Sequence, residues 1–249
     1  MEKIIREISM DDACLHMREC GMDDDKENRT IEGRAIVFGV RSVNLTPWHP
    51  TREVYEVMEP GCINQELIDK SDVMLTAFHN NELIMGRSTN GHGTLKLMLD
   101  ERGVTIACDL PHTNTADDMI ELIKRGDISG MSFAFTTDDD DDSYCVSYEK
   151  TGERSVTGKE VWLRHVRSVN GLYDVTIAGR PAYQQTDVYS RSIENAIDAI
   201  ERRGEDHATN KENEEADRAA KKAEEERRQQ ERLRAIAILQ AEIDYMKGY

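Results

Sequence analysis

The sequence predicts an α+β protein: a domain of short, mainly antiparallel strands closed or nearly closed into a β-barrel, with a few helices, followed by a charged C-terminal helix. Three observations predict this class. Eight stretches between residues 31 and 179 are short, rich in β-branched residues and bounded by Gly, Asn, Asp or Pro. Two longer stretches read as helices, the first with capping residues at its ends. Near Gly204 the composition changes to Ala, Glu, Arg, Lys and Gln, which favour helix. Many short strands with few helices are the pattern of a sheet layer that curls toward closure.

In chain order the expected strands are IEGRAIVFGV (31–40), REVYEVM (52–58), DVMLTAFH (72–79) and GTLKLMLD (93–100). They continue with GVTIACDL (103–110), ISGMSFAF (128–135), EVWLRHVRSV (160–169) and LYDVTIAG (172–179). The stretch LDERGVTIACDL reads as a hairpin turning at Glu101-Arg102-Gly103. One helix is expected over TNTADDMIELIKRG (113–126), with Thr113 or Asn114 as cap and acids in its first turns. Its apolar face is Met119, Ile120, Leu122 and Ile123, and Lys124-Arg125 then Gly126 close it. A second helix is expected over TDVYSRSIENAIDAIERR (186–203).

This organisation divides the chain into an N-terminal extension (1–29), a main domain (30–204) and a tail (205–249). The tail carries 12 acids and 9 bases, a net of −3, and has no Pro and no Gly before Gly248. Leu233, Ile236, Leu239 (or Gln240), Ile243 and Met246 follow a 3–4 spacing that lays a stripe on one helix face, which could pair with another helix or belong to a loosely folded solvated tail. The run TTDDDDD (136–142) lacks the alternating ligands and turn glycine of a calcium loop, and reads as a solvated loop.

Across 249 residues the formal net charge is −17. That balance argues against nucleic acid as a partner, because phosphate contacts need clustered cations. No stretch approaches the roughly 18 apolar residues that span a bilayer, and MEKIIREISMDDACLHMREC lacks the apolar core of a signal peptide. No membrane partner is expected, and the chain reads as cytosolic. The five cysteines (14, 20, 62, 108, 145) form no CxxC pair and read as reduced.

Metal and nucleotide signatures are also missing from the sequence: no HExxH, no HxH, no GxGxxG, no GxxxxGK[ST]. No cofactor or metal is expected. The remaining chemistry is a serine on a strand, Ser132, a histidine at a strand end, His79, and scattered acids. A strand end holds a side chain firmly while leaving it accessible. A serine becomes a nucleophile when a histidine takes its proton, and a carboxylate then fixes the imidazole tautomer. The residues alone leave two readings open, since Ser132 could equally be a packed hydroxyl and His79 a structural imidazole. A cysteine hydrolase using Cys108 or Cys145 lacks a local histidine signature.

Several motifs occur together and in order. They are IEGRAIVFGV, VMEPGCINQEL, VMLTAFHNNELIMGRS, LKLMLDERGVTIACDLP, ADDMIELIKRGDISGMSFAF and LYDVTIAGRPAYQQTDV. The set resembles the tailed-bacteriophage prohead maturation proteases, over about residues 30–190. The resemblance implies a serine endopeptidase with a herpesvirus assemblin-like barrel, acting in the host cytoplasm inside the immature procapsid. Its implied partners are the major capsid protein or scaffold as substrate, with self-cleavage and self-association. By position Ser132 matches the family nucleophile and His79 its histidine. The third member is Asp174, in LYDVTIAG, where relatives often carry Glu, or alternatively Asp109, in ACDLP. Arg180, or backbone N–H groups near Gly130 and Met131, are the candidate oxyanion donors. The competing reading is an inactive assembly protein that acts through its C-terminal helix.

Overall fold

The computed structural model describes residues 3–8, 10–18, 28–138, 144–179 and 193–202. The chain divides into two units, Met1–Ile193 and Glu194–Tyr249. The first opens with β1 (Ile4–Ile8), α1 (Met10–Ala13), β2 (His16–Met17), β3 (Thr30–Val37), β4 (Arg52–Met58) and α2 (Gln65–Lys70). There follow β5 (Asp72–Ala77), β6 (Asn80–Thr89), β7 (His92–Gly93), β8 (Leu95–Asp100), β9 (Gly103–Asp109) and α3 (Asn114–Lys124). The unit continues with β10 (Gly130–Thr136), β11 (Val146–Arg154), β12 (Glu160–Val166) and β13 (Gly171–Ala178). In the second unit the described residues, 194–202, are helical, continuing from Ile193. The earlier part of the helix expected over 186–203, the acidic residues 139–142 and the tail 205–249 lie outside the described residues.

All eight expected strands are present, and α3 begins where its capping pattern predicts. The Thr113 hydroxyl accepts from the Ala116 N–H at 3.3 Å, so Thr113 rather than Asn114 is the cap. Gly126 closes the helix at φ +77°, donating its N–H to the Ile123 carbonyl. Met119, Ile120 and Ile123 are buried as the apolar face requires. The β8–β9 hairpin pairs Asp100 with Gly103. Gly103 has φ +143°, and a Cβ there would collide with the Ile36 carbonyl oxygen, so this corner requires glycine.

The class is α+β and mostly strands, but the expected barrel is not closed. Among the described residues the strands form three sheets, in the orders β1-β10-β13-β5-β6-β7, β2-β3-β9-β8 and β11-β12-β4. The ladder breaks because β12 pairs in parallel with β4, rather than continuing to β13. A second parallel pair, β13 with β5, lies in the six-stranded sheet. Parallel pairs require crossovers, which strand patterns along the sequence do not reveal. One buried cluster joins the six- and four-stranded sheets, with Ile31, Ile36 and Ile106 from one and Leu75, Phe135 and Ile177 from the other. Burying those side chains is the main favourable contribution to the fold.

Within the six-stranded sheet β10 is buried along its whole length. On one side it pairs with β13, and on the other with β1, a strand from the segment read as an N-terminal extension. This sandwiched strand carries Ser132.

Candidate active site

Three adjacent strands, β10, β13 and β5, bring together the residues singled out from the sequence. Ser132 lies on β10 opposite Thr176 of β13, and Asp174 precedes Thr176 by two. Side chains on a strand alternate, so Ser132, Thr176 and Asp174 share one face of the sheet. His79 lies just beyond the end of β5, the other neighbour of β13. Its Nδ1 stands 2.6 Å from Asp174 Oδ1, and its Nε2 stands 2.6 Å from Ser132 Oγ. Asp174 is therefore the carboxylate that meets His79. Asp109, the alternative, is exposed at the end of β9 in the four-stranded sheet.

A two-residue turn delivers His79. Ala77 of β5 pairs with Asn80 of β6, so Phe78 and His79 are its corner residues. Both have left-handed backbones, φ +58° and +55°. That is the requirement of the tight hairpin turn usually met by Asn-Gly, and bulky residues meet it at a steric cost. The Thr176 hydroxyl offsets that cost. It accepts from the His79 N–H at 3.0 Å and from the Thr76 hydroxyl at 2.9 Å, and donates to the Thr76 carbonyl at 2.9 Å. Thr76 and Thr176 are fully buried register partners on β5 and β13. Sequence reasoning singled out neither. The available signal was that Thr176 follows Asp174 by two and so shares its face.

Ser132 is completely buried, flanked by the buried Met131 and Phe133 as alternation predicts. Its hydroxyl also lies 2.8 Å from the backbone carbonyl of Arg6, on β1. The His79 side chain is 18% exposed and that of Asp174 8%, so the imidazole is the part of the site nearest to solvent. Arg180 lies outside the described residues.

No three His, Cys, Asp or Glu side chains among the described residues cluster so as to hold a metal ion. Cys108 is no rival nucleophile. Burial, together with Asp109, pushes its thiol up to about 12, and only a thiolate attacks. No helix among the described residues is long and apolar enough to cross a membrane.

A hydroxyl, an imidazole and a carboxylate in this order can move a proton from oxygen to nitrogen while the carboxylate holds the opposite ring N–H. Fold and site thus set a serine, a histidine and an aspartate in one line on an α+β domain. The chain belongs to the caudovirus prohead serine protease family, whose model matches residues 16–199. Membership supports a protease role in tailed-phage capsid maturation within the prohead, and implies capsid protein or scaffold as substrate. No curated protein and no solved structure matches the chain.

Proposed function

We propose that this chain is a serine endopeptidase that cleaves scaffold, or the scaffolding segment of the major capsid protein, and itself during procapsid maturation. Ser132 is the nucleophile, His79 the general base and Asp174 the group that orients the imidazole. The observation that carries this reading is the continuous line Ser132 Oγ–His79 Nε2 and His79 Nδ1–Asp174 Oδ1, both contacts at 2.6 Å.

With Asp174 accepting from Nδ1–H, the lone pair of Nε2 faces Ser132. Ser132 Oγ attacks the scissile carbonyl carbon as its proton passes to Nε2. The tetrahedral intermediate collapses to an acyl-enzyme, and the leaving amine takes that proton. Water then loses a proton to Nε2, adds to the acyl carbon and releases the new carboxyl end, restoring the Ser132 hydroxyl. Asp174 keeps its charge and stabilises the imidazolium in both halves.

The family match and this geometry favour the peptidase over an inactive assembly protein. The test is co-expression with the neighbouring capsid protein, reading new N-termini by mass spectrometry. The native chain generates them and Ser132→Ala does not, while circular dichroism shows both folded. Retained cleavage by Ser132→Ala would end the assignment. The tail 205–249 either targets the enzyme to scaffold helices or serves as a scaffold-like, removable segment. Its deletion should leave cleavage intact and lower the copies incorporated into procapsids; unchanged incorporation would remove the targeting role.

A further inference from the structure

Ser132, the proposed nucleophile, is fully buried. A nucleophile with no exposed surface cannot meet a substrate, and what covers it is the chain's own β1. This strand precedes the family-matched residues 16–199. It is five residues long and forms the outer edge of its sheet. It runs antiparallel to β10, pairing Arg6 with Phe133 and Glu7 with Ser132. An extended peptide bound by main-chain pairing beside the nucleophile would take this same edge.

The Arg6 carbonyl is the one that faces Ser132, but its oxygen, not its carbon, meets Oγ, at 2.8 Å. The hydroxyl has a single proton, and both this carbonyl and His79 Nε2 compete for it. A strand held this way resembles an inhibitor more than a peptide being cleaved.

Pairing with Phe133 turns the Arg6 side chain to the opposite face from Ser132. There its guanidinium grips Glu56 of β4 in a two-pronged ion pair, Nε to Oε1 at 2.5 Å and Nη2 to Oε2 at 2.9 Å. Arg164, the register neighbour of Glu56 on β12, bonds to Oε2 as well. All three side chains are buried. A pocket of about 160 Å³, walled in part by Val40, Val43, Met58 and Phe133, adjoins Arg6 and Glu56. Apolar walls around a fixed carboxylate suit a side chain with an aliphatic stem and a forked cationic head.

We propose that Ile4–Ile8 occupies the chain's own substrate cleft, and that Glu56 selects an arginine at the substrate residue whose carbonyl faces Ser132. The proposal rests on Ser132 being the nucleophile. Arg164 keeps the carboxylate aimed and charged when Arg6 withdraws. Lysine, a point charge without the fork, fits less well than arginine, and a neutral residue leaves Glu56 without its second cation.

The experiment uses the full chain carrying Ser132→Ala, so that no peptide is consumed, together with Arg6→Ala. Fluorescence anisotropy measures binding of the peptide KIIREIS and of its versions with Lys or Ala in place of the arginine. The arginine peptide should bind at least about tenfold more tightly than the alanine peptide, with lysine between them. It should also bind more tightly than to the chain that keeps Arg6. Adding Glu56→Gln should remove the preference; should that variant not fold, the three-peptide series alone decides. Equal binding of the three peptides overturns the proposal. In parallel a fluorophosphonate is applied to chains with Ser132 intact. It should label Ser132 at least about tenfold faster in Arg6→Ala than in the native chain, because the covering strand has lost its anchor. Labelling without arginine preference overturns this inference and spares the peptidase. A folded Arg6→Ala chain that is never labelled at Ser132 overturns the peptidase itself.

Discussion

Replacing Thr176 by valine tests how the proposed base is held in place. Valine keeps the shape of threonine and removes one buried hydroxyl, so no cavity forms. Three contacts vanish: those from the His79 N–H and the Thr76 hydroxyl, and that to the Thr76 carbonyl. A typical internal hydrogen bond is worth about 1 kcal/mol net, and a buried donor left alone costs about 1–3 kcal/mol. Two donors lose their acceptor, so the expected destabilisation is about 2–6 kcal/mol, measurable by urea unfolding. The larger consequence is positional. Without Thr176 the left-handed turn at Phe78-His79 loses its brace, and the imidazole drifts from Ser132. A misplacement of about 1 Å costs about 100-fold in rate. Cleavage kinetics on the capsid or scaffold substrate should therefore show kcat reduced by about that factor with KM within about twofold. Thr176→Ser, which restores the hydroxyl, should recover most of the loss. A Thr176→Val enzyme with native kcat would refute the positioning argument, whatever its stability.

Two further predictions concern the turn and the buried ion network. Phe78 is half exposed at φ +58°, so Phe78→Asn, which tolerates that backbone, should stabilise the fold by about 0.5–1 kcal/mol. A lower urea midpoint for Phe78→Asn would show that the turn is not strained. For Glu56, burial alone would raise its carboxyl, but Arg6 and Arg164 outweigh burial and hold it below its ordinary value of 4.5. A depressed carboxyl contributes stability that is complete above pH 4.5 and is lost as pH falls through the lower folded value. Acid unfolding followed by circular dichroism should thus be less steep for a folded Glu56→Gln chain than for the native chain. Superimposable acid transitions would contradict that linkage.

The strands that carry the site were legible because each is a short β-branched run ended by a turn residue. Ser132 and Asp174 sit on two of them, and His79 follows a third. Their meeting was not legible from local pattern, since it depends on β13 pairing with β5 in parallel and with β10 antiparallel. It was anticipated from ordered motifs rather than from spacing. The corner at Phe78-His79 carries no Gly or Asn, so nothing local marked it as a left-handed turn. In β1, IIREI mixes apolar and charged residues without clean alternation, and its partner lies some 126 positions away. β11, VSYEKTGER, is a largely polar edge strand, and α2 spans only six residues, too short to display a helical period. Closure into a barrel does not follow from strand number, which says nothing about which edges meet.

In the proposed mechanism the hydroxyl of Ser132 becomes a nucleophile through His79. The most direct measurement of this is the site of covalent modification after prolonged exposure of the folded native chain to a serine-directed phosphonate, read by peptide mass spectrometry. One adduct is expected, on Ser132, and it disappears in His79→Ala. An adduct on another residue, or on Ser132 at the same rate without His79, would contradict the mechanism.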